Sequence, residues 1–239
     1  MDGQTAVVTG ASRGIGEAVA RRFASEGARV VICARERDEI DAVAEAIAED
    51  AADDGGSVEA LRADVRDEYD VERLMELAAR ESDDGIDAVV ACAGVYHGAP
   101  GETPLASESY AAFDDAFSTN ARGVFTTVKE AKPHLAADAR VVVPSGGVAR
   151  EAQPGYGSYA VSKAAAEAVV RQFAAEIDRP VGVVDPGAVA TDLTGGRGRD
   201  PADAADLVHW AVTTAPAEDV DGGVVGLKAF RSATAGSSD

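Results

Sequence analysis

The stretch TAVVTGASRGIGEAVARRFA, residues 5–24, decides the fold of this chain. Thr5–Thr9 has the pattern of a short apolar strand, Gly10–Gly16 is a glycine-rich loop, and a helix is predicted from Ile15 to Glu26. A strand, a glycine-rich turn and a helix in direct succession leave the N–H groups of the helix N-terminus free to bind phosphate. The stretch therefore predicts a dinucleotide-binding unit; a tight turn without a ligand is the alternative interpretation.

Short apolar strands alternate with amphipathic helices along the rest of the chain. The further predicted strands are Arg29–Cys33, Val58–Arg62, Ile86–Ala91, Arg140–Val143, Val181–Val184 and Gly223–Leu227. The further predicted helices are Glu36–Asp50, Asp67–Arg80, a long helix over Tyr110–His134, Tyr159–Ile177 and Pro201–Thr213. A turn is predicted at Asp53–Gly56 and a frayed tail at Ser232–Asp239.

This alternation determines the predicted fold class. Continuous apolar strands separated by helices are typical of a parallel sheet that is covered on both faces, and right-handed crossovers make such a sheet doubly wound. No linker rich in Pro, Gly or Ser divides the sequence. We therefore predict an α/β Rossmann-type fold in a single domain, residues 1–239.

The glycines of the first loop have distinct predicted roles. Gly10 permits the sharp turn, Gly14 lets the backbone approach a pyrophosphate, and Gly16 lets the helix pack closely on the strand. The phosphate groups then lie at the positive end of the helix dipole. The candidate phosphate-binding residues are Gly10, Ser12, Arg13, Gly14, Ile15 and Gly16.

The end of the second strand indicates which dinucleotide binds. An acidic residue there hydrogen-bonds the ribose 2′-hydroxyl of NAD, whereas an arginine accommodates the 2′-phosphate of NADP. Arg35 ends the strand and Arg13 lies in the nearby loop, so two cations favour NADP. NAD is the alternative, because Arg35 also fits the start of a surface helix beside Glu36. Asp64-Val65, after the third strand, offers a carboxylate that accepts from the adenine amino group.

Tyr159 and Lys163 stand four residues apart at the start of a predicted helix, so both side chains lie on one helical face. A free tyrosine has a pKa near ~10, and a lysine cation lowers the pKa of a nearby phenol. Tyr159 can then exchange a proton with a carbonyl oxygen during hydride transfer. Ser145 is placed to hydrogen-bond the substrate oxygen, and Asn120 to kink the long helix by holding a water beside Lys163.

With these residues the chain resembles the single-domain branch of the short-chain dehydrogenase/reductase family over residues 5–227, and its C-terminus is similar to that of carbonyl reductases in this branch. The resemblance rests on Thr9–Gly16, Asp64, Ala93-Gly94, Asn120, Ser145, Tyr159, Lys163, Pro186-Gly187 and Thr191. It implies the strand order 3-2-1-4-5-6-7, a homodimer or homotetramer, and a catalytic tetrad of Asn120, Ser145, Tyr159 and Lys163. The further dinucleotide contacts that we expect are Val65, Ala93, Gly94, Tyr159, Lys163, Pro186, Gly187, Val189 and Thr191.

Two positions depart from the family pattern. Cys92 replaces an asparagine that supports the central strand, so another contact has to compensate; a redox role for Cys92 is the weaker hypothesis. Ser145 stands fourteen residues before Tyr159, where the family usually has thirteen. Either the loop carries one extra residue, or Gly146 takes the place of the serine and the tetrad is incomplete.

The charge of the chain limits its partners. With 42 acidic and 22 basic residues its formal net charge is −20, which argues against nucleic acid and anionic membranes as partners. The acids are spread over every helix, which indicates a halophilic source, because salt at about 1 M shortens the Debye length to ~3 Å. Two cysteines and a start without a secretory signal predict a cytoplasmic protein. Three scattered histidines predict no metal site.

Together these features predict an NAD(P)-dependent oxidoreductase that interconverts a carbonyl and an alcohol on a small organic substrate. One alternative is a non-catalytic dinucleotide-binding sensor on the same fold. Another is a sugar-nucleotide epimerase or dehydratase, which also uses a Tyr-x-x-x-Lys pair but needs a larger C-terminal domain than this chain has room for. Residues 95–103, 148–156 and 193–200 are loops that shape the substrate pocket without revealing the substrate.

Overall fold

In the computed structural model, which describes residues 1–51, 55–82 and 84–235, the strands form one parallel sheet of order β3-β2-β1-β4-β5-β6-β7. The strand order and the doubly wound α/β fold are therefore confirmed. The predicted turn at Asp53–Gly56 and the predicted tail lie partly outside the described residues. The strands are β1 Thr5–Thr9, β2 Arg29–Ala34, β3 Ser57–Arg62, β4 Ile86–Ala91, β5 Leu135–Pro144, β6 Val181–Asp185 and β7 Val224–Gly226.

Helices cover both faces of the sheet. Ala6 and Val8 of β1 pack into one hydrophobic cluster and Val7 into the other, because successive side chains of a strand point to opposite faces. One cluster lies under α1, α2 and α7, and the other under α3, α5 and α6. The helices are α1 Gly14–Ala24, α2 Arg37–Asp50, α3 Glu68–Arg80, α4 Tyr110–Phe117, α5 Gly123–Ala131, α6 Gly157–Ala174, α7 Pro201–Thr213, α8 Ala217–Val220 and α9 Leu227–Ala235.

The prediction of one long helix over Tyr110–His134 is wrong. It is divided into α4 and α5 by a π-helical turn at Ser118–Arg122, and a 3-10 turn at Lys132–His134 follows α5. A π turn adds one residue to a turn of helix, and such turns occur mostly at functional sites. The predicted frayed tail is also wrong for Ser232–Ala235, which form the last turn of α9. Within the described residues, no helix combines the length and apolarity that a bilayer span requires.

The register of the sheet brings the candidate site together. Thr9 pairs with Cys33 of β2 and with Ala91 of β4, so these three strands end at the same level. Further along, Pro144 of β5 pairs with Val184 of β6. The loops that follow these strands lie side by side where the strand order reverses, which is where open α/β sheets bind ligands.

Candidate active site

The glycine loop packs tightly against its neighbours. Gly10 and Gly14 have φ angles of 65° and 61°, which side chains other than glycine rarely adopt. A Cβ atom on Gly10 would lie 2.5 Å from Cα of Ala93, and one on Gly16 would lie 2.4 Å from the Gly10 carbonyl oxygen. Side chains at these positions would therefore separate β1 from α1 and from the chain after β4.

A cleft of about 560 Å³ opens beside this loop. It extends over the ends of β1, β2 and β4 to the segment after β6. The predicted dinucleotide contacts that line it are Gly10, Ser12, Arg13, Gly14, Ile15, Gly16, Arg35, Asp64, Val65, Ala93, Gly94 and Thr191. The predicted contacts outside its lining are Tyr159, Lys163, Pro186, Gly187 and Val189.

Two arginines stand on the rim of the cleft. The Arg13 guanidinium is 65% exposed and lies 3.4 Å from the Asp192 carboxylate and 3.9 Å from that of Glu39. Ion pairs this exposed are weak, so Arg13 can exchange these partners for another anion. Arg35 lines the same rim.

The Asp64 carboxylate is largely occupied by a neighbouring arginine. Oδ1 accepts from Arg66 N and Nε at 3.0 Å each, and Oδ2 accepts from Nε at 3.0 Å and Nη2 at 2.6 Å. Burial alone raises the pKa of Asp64, but the hydrogen bonds and charge of Arg66 outweigh it, and the pKa lies below its usual value. An adenine amino group would compete with Arg66 for these oxygens, because a carboxylate offers about four acceptor positions.

Tyr159 and Lys163 lie at the start of α6, as predicted, but the predicted effect of Lys163 on the Tyr159 pKa is wrong in this structure. Burial, together with the phenols of Tyr96 and Tyr156, raises the pKa of Tyr159 to about 12. Lys163 is itself buried, which lowers its pKa, and its Nζ donates to the Pro144 carbonyl oxygen at 2.6 Å. Desolvation of the phenol is therefore the largest cause of the shift in its pKa.

Tyr96 covers the Tyr159 ring. The centroids of the two rings are 4.8 Å apart, and the Tyr96 hydroxyl lies 2.9 Å from the carbonyl oxygens of both Ala99 and Gly155. The Gly155 carbonyl also accepts from Gly101 N at 3.2 Å and from Thr103 N at 2.9 Å. The loop after β4 and the loop before α6 are thus joined into one cover over the phenol.

Asn120 lies in the π turn, where its side chain makes direct hydrogen bonds; its contact with a water beside Lys163 stays a prediction. Nδ2 donates to the Val95 carbonyl and to Ser162 Oγ at 2.9 Å each, and Oδ1 accepts from Val95 N at 2.8 Å. Ser162 Oγ in turn donates to the Tyr159 carbonyl at 2.8 Å. Asn120 therefore connects the loop after β4 to the first turns of α6.

Comparison with known proteins agrees with this geometry. The model of the short chain dehydrogenase family matches residues 4–202. The chain belongs to the short-chain dehydrogenase family.

Several relatives of this short-chain dehydrogenase have been described. It is 34% identical over 203 residues to the chloroplastic NADPH-dependent aldehyde reductase 2 of Arabidopsis thaliana, covering 80% of this chain and 74% of that protein. It is also 34% identical over 200 residues to a glycine betaine reductase of Emericella nidulans; the match covers 82% of this chain but only 15% of that longer protein. The structure of an alcohol dehydrogenase from the archaeon Thermococcus sibiricus, complexed with 5-hydroxy-NADP, is similar with a TM-score of 0.79 at 29% identity, covering 94% of this chain and 95% of that one.

Local contacts are seen at both positions where this short-chain dehydrogenase departs from the family pattern. Ser145 N still donates to Val184 O at 2.9 Å, so Ser145 continues the register of β5, and the 3-10 turn Gly147–Ala149 follows it. Its Oγ is buried and has no hydrogen-bond partner among the described residues. Beside Cys92, Thr9 Oγ1 accepts from Ala93 N at 3.3 Å, which is the kind of compensating contact that we expected. Burial raises the pKa of Cys92 to about 12, which argues against a reactive thiolate.

Sequence reasoning missed several residues that shape the short-chain dehydrogenase site. Glu108, in the loop after β4, accepts from the backbone N–H of Ser158 and from its hydroxyl at 2.8 Å, so it caps α6 beside Tyr159. Tyr96 and Ser162 were missed in the same way. Their contacts with Ser158, Tyr159 and Asn120 join residues far apart in the chain, so no local sequence motif predicts them.

Proposed function

We propose that this short-chain dehydrogenase is an NADP-linked reductase of a small carbonyl compound, which also oxidises the corresponding alcohol. One observation carries the proposal: Lys163, on the helix of Tyr159, donates to the carbonyl of Pro144, directly before Ser145. This contact ties α6, whose first turn carries Tyr159, to the end of β5, which Ser145 directly follows.

The cleft fits a dinucleotide. Gly10 and Gly16 leave no space for side chains, and the N-terminus of α1 begins at Gly14 with its N–H groups directed to the loop. When bound, NADPH supplies the hydride that reduces the carbonyl carbon. The residues that would hold it are Gly10, Ser12, Arg13, Gly14, Ile15, Gly16, Arg35, Asp64, Val65, Ala93, Gly94, Tyr159, Lys163, Pro186, Gly187, Val189 and Thr191.

The catalytic roles follow from the protonation states of the buried groups. Because the pKa of Tyr159 is about 12, its phenol is protonated at neutral pH and can donate a proton to the carbonyl oxygen. The Ser145 hydroxyl, buried and unpaired among the described residues, can donate to the same oxygen. Lys163 would bind the nicotinamide ribose, and Asn120 fixes α6 through Ser162.

Replacing the phenol tests the reaction. In Tyr159→Phe, we expect kcat for carbonyl reduction to fall by at least about 100-fold, the usual contribution of a general acid. NADPH binding, measured by nucleotide fluorescence, should change little, because the ring remains. Full turnover in this variant would reject the proposal. NADPH binding by the wild type without turnover of any aldehyde or ketone tested would favour the sensor.

The preference for NADP rests on the two arginines at the rim of the cleft. In Arg35→Ala we expect the Kd of NADPH to rise by about 10-fold and that of NADH to stay unchanged, because a hydrogen bond to a charged group contributes about 1.5–3 kcal/mol. Arg37→Ala is the matched control, since Arg37 is 62% exposed and faces Asp41 on α2. Tighter binding of NADH than of NADPH by the wild type would contradict this preference.

A further inference from the structure

Glu167 is a buried carboxylate in the catalytic helix. It lies one turn after Lys163 in α6 and is 2% exposed. A charge removed from water to this extent needs an ionic or hydrogen-bonding partner. Arg150 is that partner, because its Nη1 donates to Glu167 Oε1 at 2.6 Å.

The second arm of the Arg150 guanidinium reaches a different segment. Nη2 donates to Oδ2 of Asp185, the last residue of β6. The other oxygen of Asp185 accepts from Gly187 N at 2.9 Å, and Gly187 has a φ of 71°. Asp185 thus fixes the Pro186-Gly187 turn, from which the proposed nicotinamide contacts begin.

The backbone of Arg150 is fixed on a third segment. Arg150 N donates to Gly147 O at 3.0 Å, and Glu151 N donates to the same oxygen at 2.8 Å. This turn directly follows Ser145. One side chain therefore connects the serine loop, α6 and the turn after β6.

We propose that Arg150 is a positioning residue for the reaction proposed above, on which this inference rests. Its planar guanidinium has donors at fixed spacing, so it holds Glu167 and Asp185 at a fixed separation. That separation sets where the turn at Gly187 lies relative to Tyr159 and Lys163 on α6.

Loss of Arg150 would act through two routes. The turn after β6 would lose its tie to α6. In addition, Glu167 would keep Lys163 as its neighbouring cation, since residues four apart share a helix face. The Glu167 charge already acts on Lys163, and without Arg150 it would attract the ammonium away from the Pro144 carbonyl.

A charge-matched double variant separates positioning from simple charge compensation. Four forms of the full chain are prepared: the wild type, Arg150→Met, Arg150→Met/Glu167→Met, and Arg171→Met. The last is the control, because it removes an exposed arginine from α6, the helix of Glu167. Each is assayed for thermal unfolding, for the Kd of NADPH by fluorescence, and for kcat and KM with the aldehyde or ketone that the wild type reduces fastest.

We expect Arg150→Met to lower both the unfolding temperature and kcat/KM, because a buried carboxylate is left unpaired. The double variant should regain the unfolding temperature, while its kcat/KM stays at least about 10-fold below that of the wild type, as for misplaced catalytic groups. The Kd of NADPH should be raised in both variants, because both lose the tie between α6 and the turn at Gly187. Arg171→Met should match the wild type. Recovery of both stability and kcat/KM in the double variant would show that Arg150 only neutralises Glu167. If the wild type neither binds NADPH nor reduces a carbonyl, the proposed function itself fails. If the wild type turns over and the double variant recovers both its unfolding temperature and its kcat/KM, only the inference about Arg150 fails.

Discussion

The two ends of the candidate site are built in different ways. The glycine loop that borders the cleft is a run of consecutive residues, in which Gly10 and Gly16 are in close contact with neighbouring backbone atoms. The enclosure of Tyr159 is formed by side chains from distant segments, such as Tyr96 and Glu108. One end therefore depends on the absence of side chains and the other on their presence. The two ends should respond differently to substitution.

The largest expected effect lies in the cleft. Gly10→Ala forces a side chain into a left-handed conformation, at a cost of about 1–2 kcal/mol, and overpacks it against Ala93, at a further cost of about 1–3 kcal/mol. We expect the free energy of unfolding to fall by about 3 kcal/mol in urea denaturation, with loss of NADPH binding. Gly146→Ala, beside Ser145, is the control. Gly146 has an extended backbone, and its Cβ would meet no atom of the described residues within 4 Å. Equal losses in the two variants would remove the contrast between the two ends.

A second prediction concerns the two cysteines, Cys33, which is buried on β2, and Cys92, which lines the cleft after β4. Burial raises the pKa of both thiols from 9.0 to about 12. The unfolded chain therefore loses these protons first, so stability is complete below pH 9 and falls as the pH rises toward 12. Each thiol contributes up to about 1.4 kcal/mol per pH unit in that range. Urea unfolding between pH 8 and 10.5 should show a shallower decline in Cys33→Ala and in Cys92→Ala than in the wild type. If stability declines with pH as steeply in Cys92→Ala as in the wild type, the Cys92 thiol of the folded wild type is exposed to solvent.

The smallest effect is expected at the cap of α6. Glu108→Ala removes the acceptor for the first turn of the helix, and loss of a cap costs about 1 kcal/mol. Glu102→Ala removes the same charge from an exposed position in the same loop and should leave stability unchanged. Because Ser158 adjoins Tyr159, we also expect a lower kcat in Glu108→Ala. A variant as stable and active as Glu102→Ala would exclude the capping role.

The contrast also explains what the sequence could reveal. The parallel sheet and the glycine loop were predictable, because apolar strands and a strand–turn–helix pattern are local features, whereas the strand order came from the resemblance to the family. The pair Tyr159 and Lys163 was found through its spacing on one helix. The π turn, by contrast, occurs where Asn120 contacts Val95 and Ser162, which lie 25 and 42 positions away in the chain. The raised pKa of Tyr159 depends on burial under Tyr96, which no spacing in the chain encodes.

The Gly155 carbonyl has a practical consequence for changing the substrate range. It receives donors from Tyr96, Gly101 and Thr103, so the two loops over Tyr159 share one anchoring point. Shortening or grafting one loop alone would leave the donors of the first loop or the acceptor of the second without these hydrogen bonds. The pocket is therefore best reshaped by exchanging residues 95–104 and 151–157 together, with Arg150 kept.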